Sequence, residues 1–215
     1  MTSTATPPTT TAAPWVRAGA ALVAAAVLGA VTAAAQGWLP QQLAPLANSA
    51  GAWTLITAAA VGWSRVRPLP AAVLGAGAYL ALNVGYALLS ATRGLSYPID
   101  PHNRWVAIGF VAGPLVGLGA SWLRHRRDVL AALGVAGLAG VLVGEAWYGL
   151  TVLDPSPSAL YWTSSAAGGC ALLAWGVRTR LDGLPARAVA VAGSAVVTLG
   201  IPVTLALVGG VPWPG

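Results

Sequence analysis

Between Trp105 and Leu150 two long apolar runs face each other across the five residues RHRRD. Trp105–Leu123 carries no charged side chain over nineteen residues, and Val129–Leu150 carries one, Glu145. At about 1.5 Å per residue, helices of these lengths cross a hydrocarbon core of about 30 Å. A carboxylate inside that core costs on the order of a few kcal/mol unless it is paired, protonated or hydrated. The pattern is a transmembrane hairpin, and the chain is therefore expected to be an integral membrane protein with one ionisable group to account for.

Composition agrees. The chain is 57% hydrophobic and 7% charged, with mean hydropathy +0.73, where a soluble domain carries about a quarter charged residues. The net charge of +6 comes from arginine alone. Those arginines sit in short loops between apolar runs, so they read as determinants of membrane orientation and imply no nucleic-acid partner. The single Cys170 excludes an intramolecular disulfide and a cysteine-rich metal site.

The fold class predicted is all-α, a polytopic transmembrane helix bundle. Seven spans are expected, at 16–35, 49–64, 69–91, 105–123, 129–150, 159–176 and 188–210. Residues 1–14 read as a disordered tail, 15–210 as a single transmembrane domain and 211–215 as a short tail. Six is the alternative count, because the second segment is short. Ala33-Ala34-Ala35-Gln36 also has the look of a signal-peptidase site. The run before it exceeds the usual apolar region of about 7–15 residues, so a retained helix is expected. Pro114 and Pro202 each remove a helix hydrogen bond and are expected to bend their segments.

With the amino terminus inside, Arg17, Arg65, Arg67, Arg124, Arg126, Arg127, Arg178, Arg180 and Arg187 fall on the cytoplasmic side. Only Arg93 and Arg104 fall outside. Nine against two fits the positive-inside rule, and removing one middle segment mixes the two sets. The expected location is a bacterial cell membrane.

Glu145 is the leading functional candidate. The polar and aromatic residues assigned to its side include Gln41, Gln42, Asn48, Asp100, His102, Asn103, Arg104, Tyr148, Asp154, Tyr161 and Trp162. Glu145 with Asp100, His102, Asn103, Arg104, Tyr148 and Trp162 forms the candidate outer-face ligand site. The competing reading pairs Glu145 with Arg93 or Arg104, or lets it reach the headgroups. Asn83 and Tyr86 could approach from the bundle interior. Gly109, Gly113 and Gly117 recur every four residues, as do Ala21, Ala25 and Gly29. Such stripes let helix backbones approach closely, either within the chain or against a membrane-protein partner or second copy. Asp100 and His102 alone are too few for a metal site. No nucleotide-binding glycine motif and no recognisable nucleophile constellation occurs, so no cofactor and no catalytic residue is assigned.

At LAPLANSAGAW (43–53) and GPLVGLGASWLR (113–124) the chain resembles a group of small, uncharacterised multi-pass membrane proteins common in actinobacteria. That resemblance implies a membrane location and no activity. More loosely, the chain is similar in outline to the substrate-binding membrane subunits of energy-coupling-factor vitamin transporters. Those subunits bind a small molecule near the outer face and dock a partner through a small-residue stripe on their first helix. Their usual six spans differ from the seven expected here. Two functional classes follow: small-solute binding or transport at the outer face, and a non-catalytic structural or accessory role through helix–helix association.

Overall fold

A computed structural model describes residues 13–153 and 157–207. These residues form seven α-helices and one 3-10 helix: α1 (Pro14–Ala35), the 3-10 helix (Gln41–Asn48), α2 (Ala50–Ser64), α3 (Pro68–Thr92), α4 (Arg104–His125), α5 (Val129–Thr151), α6 (Ala159–Thr179) and α7 (Gly183–Leu207). Most of the expected 1–14 tail, the 211–215 tail and Asp154 lie outside the described residues.

The helix starts follow from local chemistry. Pro14 and Pro68 open α1 and α3, where a missing N–H forfeits no bond. Ser49, Asn103 and Asp128 precede α2, α4 and α5, and each side chain accepts a backbone N–H from the first turn. Arg65 ends α2 in the left-handed region, at φ 60°. The helices α4 and α7 continue through Pro114 and Pro202.

Five helices, α1, α3, α4, α5 and α7, are long and apolar enough to cross a membrane. The other two α-helices fall short for different reasons. At 15 residues α2 is about 22 Å long, less than a hydrocarbon core. The 21-residue α6 is long enough, but Thr163, Ser164 and Ser165 dilute its apolar run. Two of these hydroxyls are satisfied: Thr163 by the Ala159 carbonyl at 2.8 Å, and Ser165 by the Leu142 carbonyl of α5 at 3.2 Å.

The helix α5 is the hub. It packs against α2, α4, α6 and α7, and 67% of its apolar window is buried, against 11% for α7. On the other flank, α3 lies between α1 and α4, while short α2 touches α1, α3, α4 and α5. Small residues carry these contacts, because lipid supplies little hydrophobic force between spans. A Cβ on Gly113 would lie 2.7 Å from the Ala76 Cα and 2.8 Å from the Gly75 carbonyl oxygen. Gly109 and Gly117 face Tyr79 and Ala71 of the same helix. On α1, Ala21, Ala25, Gly29 and Ala33 are all buried, with Gly29 against the Leu82 backbone. Both stripes are thus occupied by the chain's own packing. Exposed Val23, Val27, Leu88, Phe110, Val111, Leu115, Val191 and Val196 form the opposite, apolar exterior.

Hydrogen bonds gather the helix ends into two groups. On one side Arg93 of the α3 end donates to the Ala33 carbonyl of α1 at 2.6 Å, Tyr86 to Gln36 at 2.9 Å, and Ser158 to the Gln41 carbonyl at 3.0 Å. On the other side Ser121 donates to the Val66 carbonyl at 3.0 Å, Arg127 to the Thr179 carbonyl at 3.2 Å, and Arg180 to the carbonyls of Leu123 and Arg124. Cationic side chains at those last carbonyls satisfy acceptors that a helix leaves open and complement its dipole.

Candidate functional site

Because α2 is short and its first turn is buried at Gly51, Trp53 and Thr54 and half-buried at Ala50 and Ala52, its open N–H groups point into the bundle. An unsatisfied amide there costs several kcal/mol. Glu145 supplies the acceptor. Its Oε1 accepts the Ala50 N–H at 2.7 Å, and its Oε2 accepts the Gly51 N–H at 2.9 Å and the Ser49 hydroxyl at 2.6 Å. Ser49 in turn accepts the Ala52 N–H at 3.0 Å and the Tyr161 hydroxyl of α6. Glycine at 51 is what admits the carboxylate, since a Cβ there would sit 2.7 Å from Oε2. Ser49 and Glu145 are both fully covered. A carboxylate at a helix amino terminus meets both the free N–H groups and the positive end of the helix dipole.

From α2 a second polar line leads away from Glu145. Thr54 and Tyr79 share a hydrogen bond of 2.7 Å, the Asn83 amide donates to the Tyr79 carbonyl at 2.9 Å, and Tyr97 donates to the Asn83 side-chain oxygen at 2.8 Å. Aromatic rings flank it: Trp53 lies 5.9 Å from Trp105 and 6.0 Å from Tyr86, and Tyr86 lies 4.6 Å from Tyr97, centroid to centroid. Burial pushes the Tyr97 hydroxyl's pKa up, with a hydrogen bond to Asn103 opposing it. The indole N–H of Trp53 and the hydroxyl of Thr57, one turn apart on α2, are buried without a partner.

Near the end of this line an open cleft of about 310 Å³ is lined by Pro98, Asp100, His102, Asn103, Arg104 and Trp105. Asp100 accepts the backbone N–H groups of His102 and Asn103 at 2.7 and 3.2 Å, and its Oδ1 lies 3.3 Å from His102 Nδ1. Asn103 caps α4 and ties its amide to the Pro98 carbonyl at 2.8 Å. The His102 ring is almost fully exposed.

The seven candidate ligand residues therefore divide. Asp100, His102, Asn103 and Arg104 come together at the cleft. Glu145, Tyr148 and Trp162 are buried elsewhere, with Trp162 lying over Gly149. The described partners of Glu145 are the α2 backbone and Ser49, in place of the ion pair with Arg93 or Arg104 that the competing reading offered. Asn83 and Tyr86 point to Tyr97 and Gln36. Sequence reasoning missed Ser49, Gly51, Trp53, Thr54 and Tyr79. A serine directly before an apolar helix is a recognisable cap, but nothing in the letters says that its helix begins indoors. No group of three or more His, Cys, Asp or Glu able to hold a metal occurs among the described residues.

Residues 8–210 match a family of unknown function, DUF6518. The chain belongs to that family. No curated protein and no solved structure matches it. The match thus covers every described helix and carries no assigned activity.

Proposed function

We propose that this family member is a seven-span protein of the bacterial cell membrane, amino terminus inside, that binds a small polar solute at its outer face for uptake. The observation that carries the reading is the cleft at Asp100, His102, Asn103, Arg104 and Trp105, which sets donors, acceptors and both charge signs beside the Trp105 ring. Such a lining suits a small solute with both an anionic and a cationic or hydrogen-bonding end. The division of helix ends supports the orientation. Arg65, Arg67, Arg124, Arg126, Arg127, Arg178 and Arg180 follow or end helices on one side, and Arg93 and Arg104 border the other. The short α2 completes a crossing because it starts about 9 Å below the end of α5, six residues from Glu145 to Thr151. Broken helices that begin within the membrane are a recurring feature of transporters.

The test is native purification with mass spectrometry of bound small molecules. A molecule retained by the wild type and lost in His102→Ala and Trp105→Ala supports the cleft. Retention of the same molecule in both variants sinks it. For orientation, a Cys170→Ser background with single cysteines in loops 36–48, 65–68, 92–104, 124–128, 151–158 and 177–187 should label alternately from outside and inside. Two successive loops labelled from one side would refute seven spans.

A structural or accessory role is the second reading. Glu145 favours it, because the three hydrogen bonds described for it all go to Ser49 and the first turn of the chain's own α2. The buried stripe on α1 also leaves the partner-docking half of the energy-coupling-factor likeness without its surface. Co-purification of a second membrane protein with the wild type, with no bound solute, would select this reading.

A further inference from the structure

Where α1 and α3 end, a second cleft of about 360 Å³ is lined by Ala34, Gly37, Trp38, Leu89 and Arg93. Two features of it are out of place for a solvated loop. Trp38 is 82% exposed, a large indole standing free beside two apolar helices. Arg93 is one of only two arginines on this side of the chain, and among the described residues no carboxylate pairs with it. The ion pairs among the described residues are His102–Asp100 and Arg126–Asp128. One guanidinium nitrogen, Nη1, closes α1 through the Ala33 carbonyl at 2.6 Å. The other, Nη2, faces Gly37, where a Cβ would come within 3.3 Å of it. Glycine there keeps the space beside the guanidinium open. Below the cleft the exterior is apolar, with Leu88 of α3 and Val31 of α1 exposed.

We propose that this cleft binds one anionic glycerophospholipid, its phosphodiester on Arg93 and its glycerol region against Trp38. The acyl chains run down the exposed faces of α1 and α3. The guanidinium supplies fixed donors suited to phosphate oxygens, and an arginine is the side chain best matched to that planar contact. Tryptophan prefers the headgroup level, where one edge is apolar and the other wet. Charge complementarity selects an anionic headgroup over a zwitterionic one, since among the described residues no acidic side chain lines the cleft to meet a second cation. The leaflet is the outer one if the orientation above holds, whereas the site itself does not depend on that orientation.

The test is native mass spectrometry of the full chain in maltoside detergent, titrated separately with phosphatidylglycerol, phosphatidylcholine and glycerol 3-phosphate. One phosphatidylglycerol should stay bound with about tenfold preference over phosphatidylcholine, and glycerol 3-phosphate should not displace it. Arg93→Gln should lower retention about tenfold, consistent with one lost charged contact. Trp38→Ala and Gly37→Leu should do the same while keeping the Arg93–Ala33 bond, which covers the case in which R93Q misfolds. Arg17→Gln, at the opposite end of α1, should change nothing. Equal retention of both lipids, or unchanged phosphatidylglycerol binding in W38A and G37L, would overturn the assignment. Saturation by glycerol 3-phosphate alone would overturn the lipid as occupant.

Discussion

Replacing Glu145 with glutamine keeps the shape of the α2 cap and changes its hydrogen-bond capacity. The carboxylate accepts three bonds, two on Oε2 and one on Oε1. The better amide orientation keeps the oxygen at the Oε2 position and turns the NH₂ toward the Ala50 N–H, setting two donors against each other at a 2.7 Å separation. That forfeits one charge-assisted bond, of about 1.5–3 kcal/mol, and leaves a buried amide unsatisfied at about 1–3 kcal/mol. Loss of the charge at the helix dipole adds up to about 2 kcal/mol. Because these contributions overlap, a destabilisation of about 3–5 kcal/mol is expected, in the range found when one partner leaves a buried polar pair. For a chain of this length that corresponds to a Tm lowered by about 6–20 °C. Tryptophan fluorescence during thermal unfolding in detergent reads it directly. Ser49→Ala should lose less, and the double variant should fall short of the sum by at least about 1 kcal/mol, because both changes strip the same cap. An E145Q protein melting within about 2 °C of the wild type, with no coupling to S49A, would refute the cap.

Gly113→Leu should destabilise the α3–α4 contact by more than about 3 kcal/mol, since even a methyl group would enter the backbone of Ala76, while Val111→Leu, 69% exposed, should leave detergent stability unchanged. Asp128 titrates at about pH 2, held low first by its hydrogen bonds with Arg126 and then by the Ala131 and Leu130 amides it caps. A depressed carboxylate pKa means that its stabilisation is complete above the unfolded value near pH 4 and is lost as pH falls through 2. Asp128→Asn should therefore flatten the pH dependence of Tm between about pH 4 and 2 without altering it at pH 7–9.

Much of the helical frame was legible from apolar runs and their punctuation. The boundaries of α3, α4 and α5 fall within two residues of the apolar segments, because proline, asparagine and aspartate mark their starts. The start of α7 lies five residues earlier than expected, because Pro185 and Arg187, read as loop, occupy its first turns. The 3-10 helix escaped notice because Pro40 and Pro45 break any regular period in 36–48. The deeper miss concerns Glu145. Charge pattern offers arginines as partners, whereas the groups that meet it are main-chain amides, which every residue but proline has and no letter advertises. The four loop residues of the cleft, Asp100, His102, Asn103 and Arg104, are neighbours in sequence, so their proximity in space was legible from the chain. The separation of Glu145 from them was hidden, because depth along a helix does not report which neighbour it faces.

The cap also sets an order of assembly. Ala50 and Glu145 are 95 residues apart in the chain. At about 5–20 residues per second, the acceptor emerges roughly 5–20 s after the donors it serves. Through that interval α2 is a 15-residue helix with an open end, too short to settle across a bilayer unaided. On the seven-span reading proposed above, its insertion is a late event, completed when α5 arrives, and nascent chains arrested before Val129 should leave a cysteine at position 49 open to aqueous labelling while chains extended past Thr151 protect it.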